Sequence, residues 1–130
     1  MKYLSAEDIL VLHALVVDEI GGSHGVRDTH LLQSIVHKSR TRSGGKELYP
    51  GVFLKAAVLF EAVATYHVFV DGNKRTALIA TSRFLAINGY ELTAANKDAE
   101  DITLSVATKN TDVHALAVWF KKHSRKTRRR

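Results

Sequence analysis

Two strongly apolar stretches bracket one short polar segment, and this arrangement limits the folds open to the chain more than any other feature. From about Pro50 to Thr65 the sequence carries Val52, Phe53, Ala56, Ala57, Leu59, Phe60, Val63 and Ala64. Wound as a helix, these residues cover most of the circumference, so neighbours must enclose the helix. Proline suits the first turn of such a helix, where its missing N–H is not needed. A second stretch, from about Asn73 to Ile87, repeats the pattern with Ala77, Leu78, Ala80, Phe84, Leu85 and Ile87, and Asn88-Gly89 stops it. Both helices belong in a core, with residues His67 to Gly72 between them.

The rest of the chain supplies elements to cover them. Ser5-Ala6-Glu7-Asp8 has the form of a capping box, followed by Ile9, Leu12, Val16 and Ile20 on one helical face. Gly21-Gly22 closes that helix. Asp28 caps a second helix, from about Thr29 to Lys38, with Leu31, Leu32, Ile35 and Val36 on its inner side. Residues 39–49, polar and centred on Ser43-Gly44-Gly45, form an exposed, mobile loop. Glu91 to Ala95 is a short extended link. Asn96 caps a helix to about Thr108, and Thr111 or Asp112 caps a last one ending near His123. Strand-like alternation is scarce. The expectation is an all-α fold: one domain over residues 1–120, a bundle of about six helices, followed by a basic tail over 121–130.

Charge and composition narrow the function. The formal net charge is +6, but the last ten residues hold seven of the 19 Lys and Arg and no acid. Without them the body has 12 basic against 13 acidic side chains, so the basicity belongs to an end of the chain. A basic end of this kind is a solvated, mobile tail, and nucleic acid is expected to meet this chain only through it. With no cysteine, a disulfide scaffold and any thiolate metal site are excluded. No apolar run is long enough for a membrane helix, and the N-terminus turns acidic too early for a signal peptide, so the expected address is the cytoplasm. The other histidines (His13, His24, His30, His37, His114 and His123) show no zinc-ligand spacing.

The chemistry sits in His67-Val68-Phe69-Val70-Asp71-Gly72-Asn73-Lys74-Arg75. A loop that opens a helix presents free backbone N–H groups, and the helix dipole adds partial positive charge. Gly72 lets the backbone approach a ligand closely. Asn73, Lys74 and Arg75 place further donors where oxyanions would lie, which suits a polyphosphate. Asp71 would repel phosphate directly but fits as the one carboxylate of a Mg²⁺ that phosphate oxygens also hold. His67, with an ordinary pKa of about 6.5, can take the proton of an attacking hydroxyl. Phe69, Val68 and Val70 read as anchors inserted into the core. Singly, each residue has a plainer meaning: a core histidine, a capping turn, a solvated basic face. The ordered combination is what points to a site.

That combination resembles the signature of the Fic/Doc superfamily, H-x-F-x-[D/E]-G-N-[G/K]-R, with every fixed position matched by His67, Phe69, Asp71, Gly72, Asn73, Lys74 and Arg75. Gly21-Gly22, Gly25-Val26-Arg27-Asp28, Leu31-Leu32 and Leu48-Tyr49-Pro50 are similar to the N-terminal pattern of Doc proteins. The resemblance spans residues 3 to 120. Typical adenylyl-transferring Fic proteins have glycine at the position of Lys74 and a second arginine at the position of Leu78; both departures look like Doc.

The resemblance implies a toxin of the death-on-curing (Doc) type that transfers the γ-phosphate of ATP, with Mg²⁺, to a protein hydroxyl. By the same resemblance the target is elongation factor Tu and the outcome is a block of translation. It makes His67 the base and Asp71 the metal-linked acid. It makes Gly72 and Asn73 the phosphate cradle, and Lys74 and Arg75 the neutralising cations. The competing readings are a Fic-type protein adenylyltransferase and a non-catalytic module whose tail binds nucleic acid. The inhibitory pattern [S/T]-x-x-x-E-[G/N] has only the poor match Ser43 to Leu48. A separate antitoxin partner is therefore expected. Residues 39–49, with Arg40, Arg42 and Lys46, are either a flap that holds a target segment or a plain surface loop. Arg27 and Asp28 read as a structural pair, and Trp119 and Phe120 as core.

Overall fold

A computed structural model of the chain describes residues 1–127. Six helices form in chain order: α1 (Ala6–Ile20), α2 (Thr29–Lys38), α3 (Val52–Thr65), α4 (Asn73–Ile87), α5 (Asn96–Ala107) and α6 (Val113–Lys122). Four short strands accompany them: β1 (Arg42–Ser43), β2 (Lys46–Glu47), β3 (Tyr90–Leu92) and β4 (Ser124–Lys126). They pair antiparallel as β1–β2 and β3–β4. The fold is an all-α bundle, as the periodicity predicts, and none of the described helices is long and apolar enough to cross a membrane.

The two apolar helices take the centre. Helix α3 packs against α2, α4, α5 and α6, and α4 packs against α1, α3, α5 and β3. Their shared core contains Ala56, Phe60, Val63, Ala77, Ala80, Phe84 and Leu85, closed by Ile9, Leu32, Ile35, Leu116 and Phe120 from the outer helices. Phe60 meets Phe120 edge to face at 5.7 Å between ring centroids. Such pairs add about 0.5–1.5 kcal/mol to what burial contributes, and truncating a buried phenylalanine costs about 3–5 kcal/mol.

Helix starts follow the sequence closely. Ser5 and Asp8 form a reciprocal capping box on α1. Asp28 Oδ1 accepts from Leu31 N–H at 2.8 Å, and Asp112 Oδ1 from Ala115 N–H at 2.8 Å. Two boundaries and one buried face shift. Helix α3 begins at Val52 behind Gly51, so Pro50 lies just before its first turn. Helix α5 is preceded by Ala95, and Asn96 is its first residue. On α1 the inward face is Ile9, His13, Val16 and Val17, while Ile20 is exposed and Leu12 half-buried.

Two expectations about irregular segments are corrected. Within residues 39–49, β1 and β2 form a hairpin turning at Gly44-Gly45, with Arg42 opposite Glu47 and Ser43 opposite Lys46. The basic tail does not begin at residue 121: Lys121 and Lys122 end α6, and Ser124–Lys126 pairs with Tyr90–Leu92, turning the expected extended link into a strand. Arg125 Nε donates to Glu91 Oε1 across that pair at 2.8 Å. The last three arginines of the tail lie outside the described residues.

Candidate active site

The loop between α3 and α4 is anchored from its middle and open at both ends. Val68 and Phe69 are fully buried, as expected of anchors. Val70 is not one: it is 42% exposed, because the chain turns back to solvent after Phe69. His67 is exposed, so its ring has the solvent access that a base for an incoming alcohol requires. Its φ is 54°, the left-handed region that non-glycine residues rarely occupy, at a cost of about 1–3 kcal/mol. The preceding residue, Tyr66, is held from α2, where Lys38 Nζ donates to its phenol oxygen and lies over its ring. Burial works against the Lys38 charge, yet the Tyr66 oxygen and nearby acidic groups hold its ammonium above the ordinary value.

Three separate devices fix the loop. The α1–α2 connection pairs with it through a bridge between Val26 and Phe69. Arg27 N–H donates to Val68 O at 2.6 Å, and Val70 N–H to Gly25 O at 3.0 Å. A Cβ on Gly25 would stand 2.8 Å from Val70 Cγ2, so any larger residue there would have to displace the Val70 side chain. Second, Ser23 N–H donates to Asp71 Oδ2 at 2.8 Å, which aims the carboxylate. Third, Asn73 clips the loop to the start of α4: its Oδ1 accepts from Phe69 N–H at 3.1 Å and its Nδ2 donates to Phe69 O at 2.9 Å. The Asn73 amide is thus a brace for the backbone, a part that comes beside its expected place in the phosphate cradle. The sequence also suggests a pair of Arg27 with Asp28, and this is corrected. Arg27 contributes its backbone N–H to the loop, Asp28 caps α2, and no ion pair joins them among the described residues.

Gly72 caps α4 in the left-handed conformation, φ 79° and ψ 17°, and no side chain caps the helix. Thr76 N–H returns to Gly72 O at 2.9 Å. The earlier N–H groups of the first turn have no hydrogen-bond partner among the described residues, in a turn where Asn73 is half-buried and Lys74 and Arg75 are exposed. Both cations are exposed, and neither makes an ion pair among the described residues. They form, with Leu78, one wall of a cleft of about 360 Å³ between α4 and α5, whose far wall is Asn96, Ala99, Glu100, Thr103 and Leu104. That volume falls in the range of small-molecule sites. A helix mouth with free donors, two unpaired cations and an adjoining cleft has the donors and the charge to hold an anion, with room beside it.

Sequence patterning misses one residue of this site. His13, on α1, is buried, its Nε2 is 2.8 Å from the carbonyl oxygen of Asp71, and its ring stacks on Phe69 at 3.8 Å. It shows no ligand spacing with other histidines, but it stands four residues after Ile9 and three before Val16, on the inward stripe of α1. A polar residue at such a position needs a buried partner.

The order of elements and this helix mouth define a class, and comparison with known proteins agrees. Residues 3–85 match the model of the Fic/DOC family, and the chain belongs to that family. Within it the chain groups with the Doc toxins. It is 40% identical over 119 residues to a protein named Toxin Doc from Mycolicibacterium smegmatis, covering 89% of this chain and 88% of the relative. It is 31% identical over 117 residues to the protein named Protein kinase doc of Escherichia phage P1, covering 90% and 91%.

Proposed function

We propose that the chain is a Doc-type toxin that transfers the γ-phosphate of ATP to a hydroxyl of a protein target, with a separate antitoxin as its natural partner. The observation that carries this reading is the α4 mouth: uncapped first-turn donors flanked by unpaired Lys74 and Arg75, with the exposed His67 at the other end of the same braced loop. Both relatives support it, one named as a toxin and the other as a protein kinase.

The residues present fit a magnesium–triphosphate. Asp71 Oδ2 accepts from Ser23 N–H, which leaves Oδ1 free on an exposed carboxylate. No group of three metal-ligating side chains occurs among the described residues, so phosphate oxygens would complete the metal's shell. Bound Mg²⁺ would neutralise phosphate charge at Asp71. Gly72 and the first turn of α4 donate backbone N–H groups to phosphate oxygens, and Lys74 and Arg75 offset their charge. His67 accepts the proton of the attacking hydroxyl as its oxygen bonds to the γ-phosphorus and the bond from that phosphorus to the bridging oxygen breaks, leaving ADP. Such transfer depends mainly on positioning and charge stabilisation. Lys74 and Leu78, where adenylyl-transferring relatives carry glycine and arginine, favour transfer of the γ-phosphate over the nucleotide. By resemblance the target is elongation factor Tu, the result a halt of translation, and the compartment the cytoplasm.

The test is incubation of the protein with a cell extract and ATP labelled at either the γ- or the α-position. Label on a protein from the γ-position alone is expected, and loss of that label with His67→Ala. Label from the α-position would establish nucleotide transfer instead, and full transfer by His67→Ala would remove the base assignment.

A further inference from the structure

We propose that His13 is a positioning residue of the phosphate site: by holding the Asp71 carbonyl oxygen, it sets the plane of the Asp71–Gly72 peptide and so the direction of the Gly72 N–H. The inference rests on the reading of the α4 mouth as a phosphate site.

A carbonyl oxygen can only accept, so the 2.8 Å contact requires that His13 Nε2 carry the hydrogen. The ring cannot readily turn away. It lies flat on Phe69, 3.8 Å between centroids and 8° between planes, and is 2% exposed. Phe69 is in turn clipped through both backbone groups by Asn73. The backbone of Gly72 also sits against α1: a Cβ there would lie 3.5 Å from Val16 Cγ1 and 3.8 Å from His13 Nε2. One imidazole from α1, 58 residues before Asp71, therefore touches the anchor and the acid of the motif and faces the side of the glycine where a Cβ would stand.

The consequence follows from peptide geometry. The peptide is planar and trans, so its C=O and the next N–H point in opposite directions. Tying the Asp71 oxygen to α1 sends the Gly72 N–H to the other side, and no partner holds that N–H among the described residues. The bond also keeps a carbonyl oxygen, a partial negative charge, from rotating toward the helix mouth. Without it the freedom of Gly72 makes a flip of this peptide easier, which would put an acceptor where the phosphate needs a donor.

Amide NMR on the full chain, titrated with inorganic tripolyphosphate, tests this. His13→Phe keeps an aromatic ring for the Phe69 stack and loses the donor; His13→Gln keeps a nitrogen donor of similar reach. In the wild type, tripolyphosphate is expected to shift the amides of Gly72 to Arg75. In His13→Phe the Gly72 amide resonance moves before any ligand is added, and tripolyphosphate binds about tenfold more weakly, the loss of one donor to an anion. His13→Gln is expected to restore most of the affinity. A merely structural histidine would change the melting temperature and leave the affinity of the folded protein unaltered. Unchanged binding by a folded His13→Phe therefore overturns the proposal alone. No response at Gly72 to Arg75 in the wild type overturns the phosphate site and this proposal with it. One measurement needs no variant: the ring-nitrogen shifts of wild-type His13 should show the hydrogen on Nε2, and a bare Nε2 would refute the bond.

Discussion

Two loops flank helix α3, and they are held in opposite ways. The loop after it, residues 66–72, is braced from four elements: α2 through Lys38 at Tyr66, the α1–α2 connection, Asn73 at the head of α4, and His13 of α1. The hairpin before it, β1–β2, is exposed along its whole length, and among the described residues Lys55 ties it to the core. That lysine is 1% exposed inside α3; its Nζ donates to Ser39 O at 2.8 Å and pairs with Glu47 Oε1 at 2.8 Å. The difference fits the reading proposed for the 66–72 loop, since donors to a phosphate must be fixed within a fraction of an ångström, and an exposed hairpin needs no comparable rigidity. A single buried cation holds the hairpin at one point, where the 66–72 loop is held at several.

Four changes would break or sharpen this contrast. The largest effect is expected from His67→Ala. Transfer should fall by about 10²–10⁴, measured by label incorporation, while thermal stability stays close to wild type because the side chain is exposed. Next is Asn73→Ala, which leaves both backbone groups of Phe69 without their partners. Unfolding stability should drop by about 1–3 kcal/mol, read by denaturant titration, and transfer should fall with it. An unchanged loop would mean that the bridge to Val26 suffices alone.

Lys55→Met should act on the hairpin only. It removes the donor to Ser39 O at a cost of about 1 kcal/mol, and amide exchange should speed up at Leu48, whose N–H bonds to Thr41 O. Amides of the 66–72 loop should not respond; if they do, the two loops are coupled and the contrast fails. The smallest effect concerns pH. The hydrogen bond and charge of Lys55 hold the Glu47 carboxyl below its ordinary value of 4.5. A depressed pKa contributes stability above the unfolded value and loses it as pH falls through the folded one. The hairpin should therefore keep its exchange protection down to about pH 4.5 and loosen only below it. Glu47→Gln should abolish that acid transition.

The bundle was largely legible because its signals are local. The circumferential apolar pattern of 52–64 and 77–87 and the caps Ser5, Asp28 and Asp112 act within a few residues. What escaped depends on partners distant in sequence. β4 becomes a strand because Ser124–Lys126 meets Tyr90–Leu92, and composition alone marks it as a charged tail. The site shows the same split. His67, Asp71, Gly72, Lys74 and Arg75, the residues proposed to carry the chemistry, stand together in one short segment, where the sequence alone brings them to notice. The brace formed by Asn73 and the bond from His13 depend on where Phe69 and Asp71 place their backbone, which no spacing rule states. His13 did leave one trace, a polar residue on the inward stripe of α1.

The most direct test of the account is the intact mass of proteins from a cell extract treated with this protein and ATP. The account predicts one protein heavier by a single phosphoryl group, present with the wild type and missing with His67→Ala. A gain of an adenylyl group, or a phosphoryl gain that survives loss of His67, would contradict it.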